Sequence, residues 1–236
     1  YEIKNRSYNN PLICHFQSLE KIKNEFEMNE VANKLADYFW PGPLRLILKK
    51  KKSSIISPNL SNYKELVGCR IPHNPIANEL LESVPFPIAA PSANISTKLS
   101  TTNIKHLDNK LKNKVFFING GNSRFGLEST VLNVSSKHPK ILRYGSITLE
   151  QLKKIIPDIY FLKNHNSKFL SPGQQKKHYS PNIPLRINVN KVLEGEVLLN
   201  FGKNNLKSKI FELNLSVSGN LNEAGKNLYG YLHQLD

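Results

Sequence analysis

Lys4 and Arg6 stand one residue apart in the opening stretch YEIKNRSYNNPLICH. On an extended segment such a Lys-x-Arg pair aims both charges to one side, as an oligophosphate clamp requires; a solvated edge would carry the same pair. Asn10 and Pro11 follow, then an apolar run ending in His15, which suits a satisfied core histidine as well as a ligand contact. In PIAAPSANIST the small apolar residues end at Pro91, and Ser92 and Asn94 then offer donors and acceptors where a backbone could approach a ligand. Ser100, Thr101 and Thr102 precede a helix signal, where hydroxyls either cap the helix or help to bind phosphate. NGGNSRFGLESTVLNV spaces Gly120, Gly121 and Gly126 too sparsely for a P-loop and lacks a Gly-Lys-Ser/Thr ending. G-x-S-x-G, HExxH and CxxC patterns are absent as well. The sequence therefore offers no credible covalent nucleophile and no metal site built from its side chains.

The elements that must position these residues come from a chain of 236 residues, 39% hydrophobic, enough for one large or two moderate domains. No apolar run reaches the ~18 residues that a membrane helix needs. Tyr1, not Met, comes first, so the chain reads as a fragment of a longer product. Cys14 and Cys69 lie in apolar runs and read as buried thiols of a reduced compartment. A net charge of +15 favours anionic partners such as nucleic acid or nucleotides. Richness in Lys, Asn and Ile supplies a competing explanation, and KKKK (Lys49 to Lys52) reads as a surface turn.

Helix and strand signals alternate. PLICHF, LRLILKK, LVGCRI, FPIAA, KVFFING, STVLNV and PKILRYG read as strands. Ser18 and Asn29 are placed to cap helices, Asn74 with Pro75 opens another, and Thr148 with Gln151 forms a capping box. This is a mixed α/β domain of about 160 residues, assigned to 1–162. From 163 to 184 the chain turns polar and irregular, with the acid-free stretch SPGQQKKHYSP suiting either a tether or a lid. A second α/β domain is read over 185–236, from EVLLNFG, KIFELNLS and a helix with Leu221, Ala224, Leu228, Leu232 and Leu235 along one side. It holds too few elements for a usual sheet, so the native chain is expected to continue.

The order of eight motifs says more than any one of them. Lys-x-Arg, Asn-Pro-Leu-x-x-His, Trp-Pro-Gly-Pro-Leu, Arg-x-Pro, Pro-Ser-Ala-Asn, Gly-x-Glu-Ser-Thr-Val, Ile-Leu-Arg-x-Gly and Pro-Gly…His-Tyr-x-Pro follow one another. This series closely resembles the YrdC-like threonylcarbamoyl-AMP synthases in their long form, densely over Tyr1 to Pro181 and more weakly in the tail NLYGYLHQLD. The resemblance implies a YrdC-like twisted mixed sheet flanked by helices, then a linker and a partial, smaller α/β domain. It also implies a reaction: L-threonine, bicarbonate and ATP give threonylcarbamoyl-AMP and pyrophosphate, with Mg2+ accompanying ATP. The product would serve tRNA threonylcarbamoyladenosine modification through a downstream transferase machinery, in the cytoplasm.

By the same resemblance, Lys4, Arg6, Asn10, Asn94, Ser100, Thr102, Arg143 and Tyr179 correspond to ATP contacts. His15, Arg70, Ser92 and Ser129 correspond to the L-threonine pocket, with Arg70 on the carboxylate. The linker would fold over the site as a lid that excludes water, entered at Pro172 and Gly173 and anchored by Tyr179.

Departures are plain. Ser7 and Thr101 stand where the family has proline, Thr97 where it has glycine, and Leu66 where a polar residue is common. The family's first strand and its Pro-Thr-x-Thr-x-Tyr-Gly-Leu segment, part of the threonine site, are not in the sequence, so an incomplete site is the expectation for the chain as given. Two rival readings are a non-catalytic basic RNA-binding module of the same fold and a carbamoyl-AMP-forming carbamoyltransferase.

Overall fold

The computed structural model describes residues 1–60, 65–161 and 179–236. In chain order the elements are β1 (Ile13–His15), α1 (Leu19–Glu25), β2 (Phe26–Glu27), α2 (Glu30–Phe39), β3 (Leu44–Lys50), β4 (Leu66–Arg70), α3 (Pro75–Glu82), β5 (Ile88–Ala90), α4 (Asn109–Lys112), β6 (Thr130–Asn133), β7 (Lys140–Arg143), α5 (Leu149–Lys153), β8 (Tyr160–Phe161), β9 (Leu198–Asn200), β10 (Glu212–Asn214) and α6 (Leu221–Leu235). By contacts the chain divides into two compact units. One joins Tyr1–Pro91 to Glu128–Lys176, and the other joins Ser92–Leu127 to Lys177–Asp236.

The first unit is a mixed sheet in the order β5-β1-β4-β3-β6-β7-β8, with β2 paired to β3. β1 runs parallel to β4 and antiparallel to β5, and β3 runs antiparallel to β4 and parallel to β6. Leu44, Leu46 and Leu48 alternate along β3 and bury one face with Val67, Cys69, Leu132 and Ile141. That face is covered by Ile22 of α1, Ala32 and Leu35 of α2 and Leu152 of α5. Ile47, Val131 and Leu142 form a smaller cluster of their own. β3 is buried on both faces from Leu44 to Leu48, and buried Arg45 shares the second face with Ile47. The helices start where the sequence places them. Ser18, Asn29 and Asn74 accept hydrogen bonds from the backbone three residues on, and Thr148 and Gln151 form a reciprocal capping box.

The second unit carries a two-stranded parallel pair, β9 and β10, with α6 beside it. Ala224 and Tyr229 are its buried residues, whereas Leu221, assigned to the apolar side, is 77% exposed. On a helix that advances 100° per residue Leu221 falls angularly between Ala224 and Tyr229, so it shares their side and is exposed as the first residue of the helix. KVFFING forms no strand among the described residues. Val115, Phe116, Phe117 and Ile118 are all exposed, because apolar residues make a strand only when a neighbour completes the ladder. Lys49 and Lys50 belong to β3, and Lys51 Nζ donates to Lys23 O, so KKKK is a strand end before it is a turn. Ser171 to His178, with Pro172, Gly173, Lys176 and Lys177, lie outside the described residues. No helix of the described residues is long and apolar enough to cross a membrane.

Thr97 takes φ +73°, in the left-handed region, where the resemblance places a glycine. A β-branched side chain there is strained. Thr97→Gly should therefore raise stability by about 1 kcal/mol, net of the entropy that glycine adds to the unfolded chain. Urea unfolding of the two proteins measures this, and an equal or lower midpoint for Thr97→Gly refutes it.

Candidate active site

In the first unit, β6 and β7 meet in a knot of hydrogen bonds. Arg143 Nε donates to Ser129 O at 3.1 Å, and its NH2 group donates to Ser129 O at 2.6 Å and to Ser129 Oγ at 3.1 Å. The same NH2 group lies 3.4 Å from a Glu128 carboxylate oxygen. Thr130 Oγ1 donates to Ile147 O at 2.8 Å and accepts from Ile147 N at 3.0 Å, while Ser146 N donates to Glu128 O. Gly145 is required at this crossing, since a Cβ on it would fall 2.3 Å from Glu128 O and 2.5 Å from Thr130 N. The sequence motifs Glu-Ser-Thr and Arg-x-Gly thus become one object.

Glu128 also acts on cations from elsewhere in this unit. Lys4 ends a 3-10 turn and Asn5 then adopts a left-handed conformation. The extended clamp expected for Lys4 and Arg6 is therefore replaced by a tight turn, closed by backbone bonds from Arg6 N and Lys4 N to Tyr1 O. Arg6 NH2 donates to Asn10 Oδ1 at 2.9 Å and to Pro11 O at 2.7 Å, which fixes the guanidinium against the entry to β1. Lys4, Arg6 and Asn10 are all buried. Burial, and then Arg6, pushes the Lys4 ammonium down to about 8, with Glu128 opposing. Burial likewise lowers Arg6 and Arg70, again against the pull of Glu128. The Nε atoms of Arg6 and Arg70 are buried with no hydrogen-bond partner among the described residues.

His15 and Arg70 face one another across the parallel β1–β4 ladder. His15 Nδ1 lies 3.2 Å from Ile88 O. A carbonyl only accepts, so Nδ1 carries the hydrogen and Nε2 keeps a lone pair. Burial first, then Arg70, pushes His15 down to about 3, so the ring is neutral at ordinary pH. Burial also raises both thiols, Cys14 to about 12, which fits inert core residues.

Ser92, Asn94, Ser100, Thr102 and Tyr179 fall in the second unit. Ser92 Oγ donates to Asn94 Oδ1 at 2.6 Å, and Asn94 Nδ2 donates to Lys98 O at 2.8 Å, so the residues after Pro91 hold a turn of their own. Tyr179, at φ +55°, sets its ring 5.5 Å from that of Tyr229 on α6. Ser180 N donates to Thr97 O at 2.9 Å. An apolar pocket of about 510 Å3 also lies in this unit, lined by Ile183, Leu185, Val192, Leu198, Leu232 and Leu235 among others. None of the expected contacts lines it, and its charged lining residues are Arg186, Glu196 and Asp236.

The Sua5–YciO–YrdC family model, described as Telomere recombination, matches residues 1–145. The chain belongs to this family. A second model, described as Threonylcarbamoyl-AMP synthase, C-terminal domain, matches residues 147–236. The chain is 38% identical over 192 residues to the threonylcarbamoyl-AMP synthase of Bacillus subtilis, covering 79% of this chain and 55% of the relative. A protein of the same name from Pyrococcus abyssi is 38% identical over 189 residues, covering 77% of this chain and 54% of the relative. The chain thus spans about half the length of these curated relatives. Among solved structures, P. abyssi Sua5 complexed with L-threonine aligns with TM-score 0.84 and 30% identity, over 100% of this chain and 74% of that one.

Sequence reasoning missed Glu128 as a site residue. Its place inside Gly-x-Glu-Ser-Thr-Val was visible, but its reach to cations distant in the chain was not. The His15 geometry has a measurable consequence. Between pH about 6.5 and about 3 the unfolded chain binds a proton that native His15 refuses, so stability falls as pH falls through that window. The contribution has a slope of up to about 1.4 kcal/mol per pH unit. His15→Asn, which keeps a donor for Ile88 O and cannot titrate, should lack it. Urea unfolding from pH 7 to 4.5 tests this; parallel pH curves for the two proteins refute it.

Proposed function

We propose that the chain belongs to an L-threonylcarbamoyladenylate synthase, using ATP, L-threonine and bicarbonate. The observation that carries this reading is the group of cations, buried Lys4, Arg6 and Arg143 with half-buried Arg70, that share Glu128, with two guanidinium Nε atoms buried and unpartnered among the described residues. Buried donors without partners are costly, and such a surplus of positive charge is what polyanions complete. Membership of the family and the L-threonine complex of a related Sua5 support an amino acid and a nucleotide as those anions.

The chemistry needs no protein nucleophile. The threonine amine adds to bicarbonate with loss of water, giving a carbamate. A carbamate oxygen then bonds to the α-phosphorus of ATP, the bond to the β-bridging oxygen breaks, and pyrophosphate leaves with the electron pair. In the first unit Arg70 would hold the threonine carboxylate, with His15 and Ser129 as further threonine contacts. Lys4, Arg6, Asn10 and Arg143 would hold phosphate or nucleotide; within the second unit Ser92 is assigned to threonine, and Asn94, Ser100, Thr102 and Tyr179 to ATP. Such a site works by positioning and by preorganised charge. Mg2+ would come with ATP: among the described residues no group of three or more His, Cys, Asp or Glu is placed to hold a metal, so the phosphates are its proposed ligands. The product would pass to a transferase acting on tRNA in the cytoplasm, and the +15 charge suits contact with RNA.

The full-length protein should release pyrophosphate from ATP only when L-threonine and bicarbonate are both present. Release that ignores either one overturns the reading. Arg70→Ala should raise the KM for threonine at least tenfold while changing that for ATP by less than about threefold, as expected for loss of a charge-assisted pair. The reverse pattern would reassign Arg70.

A further inference from the structure

The Ser100–Thr102 turn is held by two histidines that the reading above does not use. His106 ends the 3-10 turn Ile104–His106, and its Nδ1 lies 3.4 Å from Thr102 N and 3.3 Å from Thr102 Oγ1. A backbone N–H only donates, so Nδ1 is the acceptor and His106 carries its hydrogen on Nε2. His233, in the last turn of α6, places Nε2 3.1 Å from Ser100 O, and a carbonyl only accepts, so this ring donates. The two rings stack, with centroids 4.1 Å apart and planes 16° from parallel. Burial, and then His233, lowers the His106 pKa, which keeps the Nδ1 lone pair available.

The rest of α6 repeats this pattern within the same unit. Gly126, at φ +69°, approaches α6 so closely that a Cβ would fall 2.3 Å from Lys226 O. Tyr229 stands against Tyr179, and Asn182 and Ile183 donate backbone hydrogens to Asp236 just after the helix. α6 therefore touches the hydroxyl-bearing turn, the glycine loop that follows it and the residues at the end of the linker.

We propose that His106 and His233 are positioning residues for the nucleotide contacts of Ser100 and Thr102, His106 orienting Thr102 through Nδ1 and His233 fixing the Ser100 carbonyl from α6. The C-terminal helix is then a working part of ATP binding, through side chains that touch no substrate. This rests on the reading of Ser100 and Thr102 as ATP contacts.

The test uses the full-length protein and titration calorimetry with ATP and with L-threonine. His106→Leu and His233→Leu should each weaken ATP binding by about three- to tenfold, the worth of one hydrogen bond, and leave threonine affinity within twofold. His106→Asn, whose Oδ1 stands near the former Nδ1, and His233→Gln, whose Nε2 can still donate, should recover most of the ATP affinity. A merely structural pair would lower thermal stability without this split between ligands and without rescue. Unchanged ATP affinity in both leucine variants, or equal losses for both ligands, overturns the proposal while leaving the synthase reading intact. Wild-type protein that binds no ATP overturns both. Should a leucine variant fail to fold, amide exchange at Thr102 in the wild type decides: slowing on addition of ATP supports the proposal, and unchanged exchange overturns it.

Discussion

One carboxylate facing several buried cations is the constraint on which the first unit depends. Glu128 lies 3.4 Å from Arg143 and pulls on Lys4, Arg6 and Arg70. These cations come from a turn, a strand end and a neighbouring hairpin, and by themselves they repel one another. Burial raises the cost further, because a charge removed from water must find compensation in the protein or in a ligand. The backbone is shaped around this need. Gly145 lets the 143–147 segment touch the 128–130 segment, Thr130 and Ile147 lock the contact, and Ser129 O takes two of the Arg143 donors. The result is a rigid knot with more positive than negative charge. That excess fits the proposed reaction, whose substrates would be a triphosphate, an amino acid carboxylate and bicarbonate.

The second unit works with neutral groups. Ser92, Asn94, Ser100 and Thr102 carry hydroxyls and amides, and their neighbours are the imidazoles of His106 and His233 and the ring of Tyr229. Neutral hydrogen bonds fix direction at small electrostatic cost, whereas the cations of the first unit supply most of the attraction. The proposed reaction needs both kinds of residue, neutral groups that orient and cations that attract.

Features set by nearby residues were legible in the sequence. The caps Ser18, Asn29, Asn74 and the Thr148–Gln151 box each depend on three residues of separation, and each forms as read. The β3 and β4 strands announced themselves by apolar content. What failed depended on distant partners. Val115 to Ile118 has the composition of a strand and no ladder among the described residues, while Lys4 and Arg6 looked extended but Lys4 ends a 3-10 turn and Arg6 follows a left-handed Asn5. Leu221 looked like core and is exposed at the first position of α6, although it shares the side that buries Ala224 and Tyr229. Glu128, His106 and His233 escaped notice for the same reason: a charge, a stack and a carbonyl bond made to residues remote in the chain leave no spacing to read.

Replacing Glu128 tests the central claim most directly. In Glu128→Gln the cations lose their shared counter-charge but keep a hydrogen-bonding side chain of the same shape. The ligand-free protein should then lose about 1–2 kcal/mol of stability. The stabilisation produced by saturating ATP should become larger than in the wild type, because the anion now relieves more repulsion. Thermal unfolding of both proteins with and without ATP reads both quantities. Unchanged stability without ligand, together with an equal or smaller ATP-induced rise, would contradict the account.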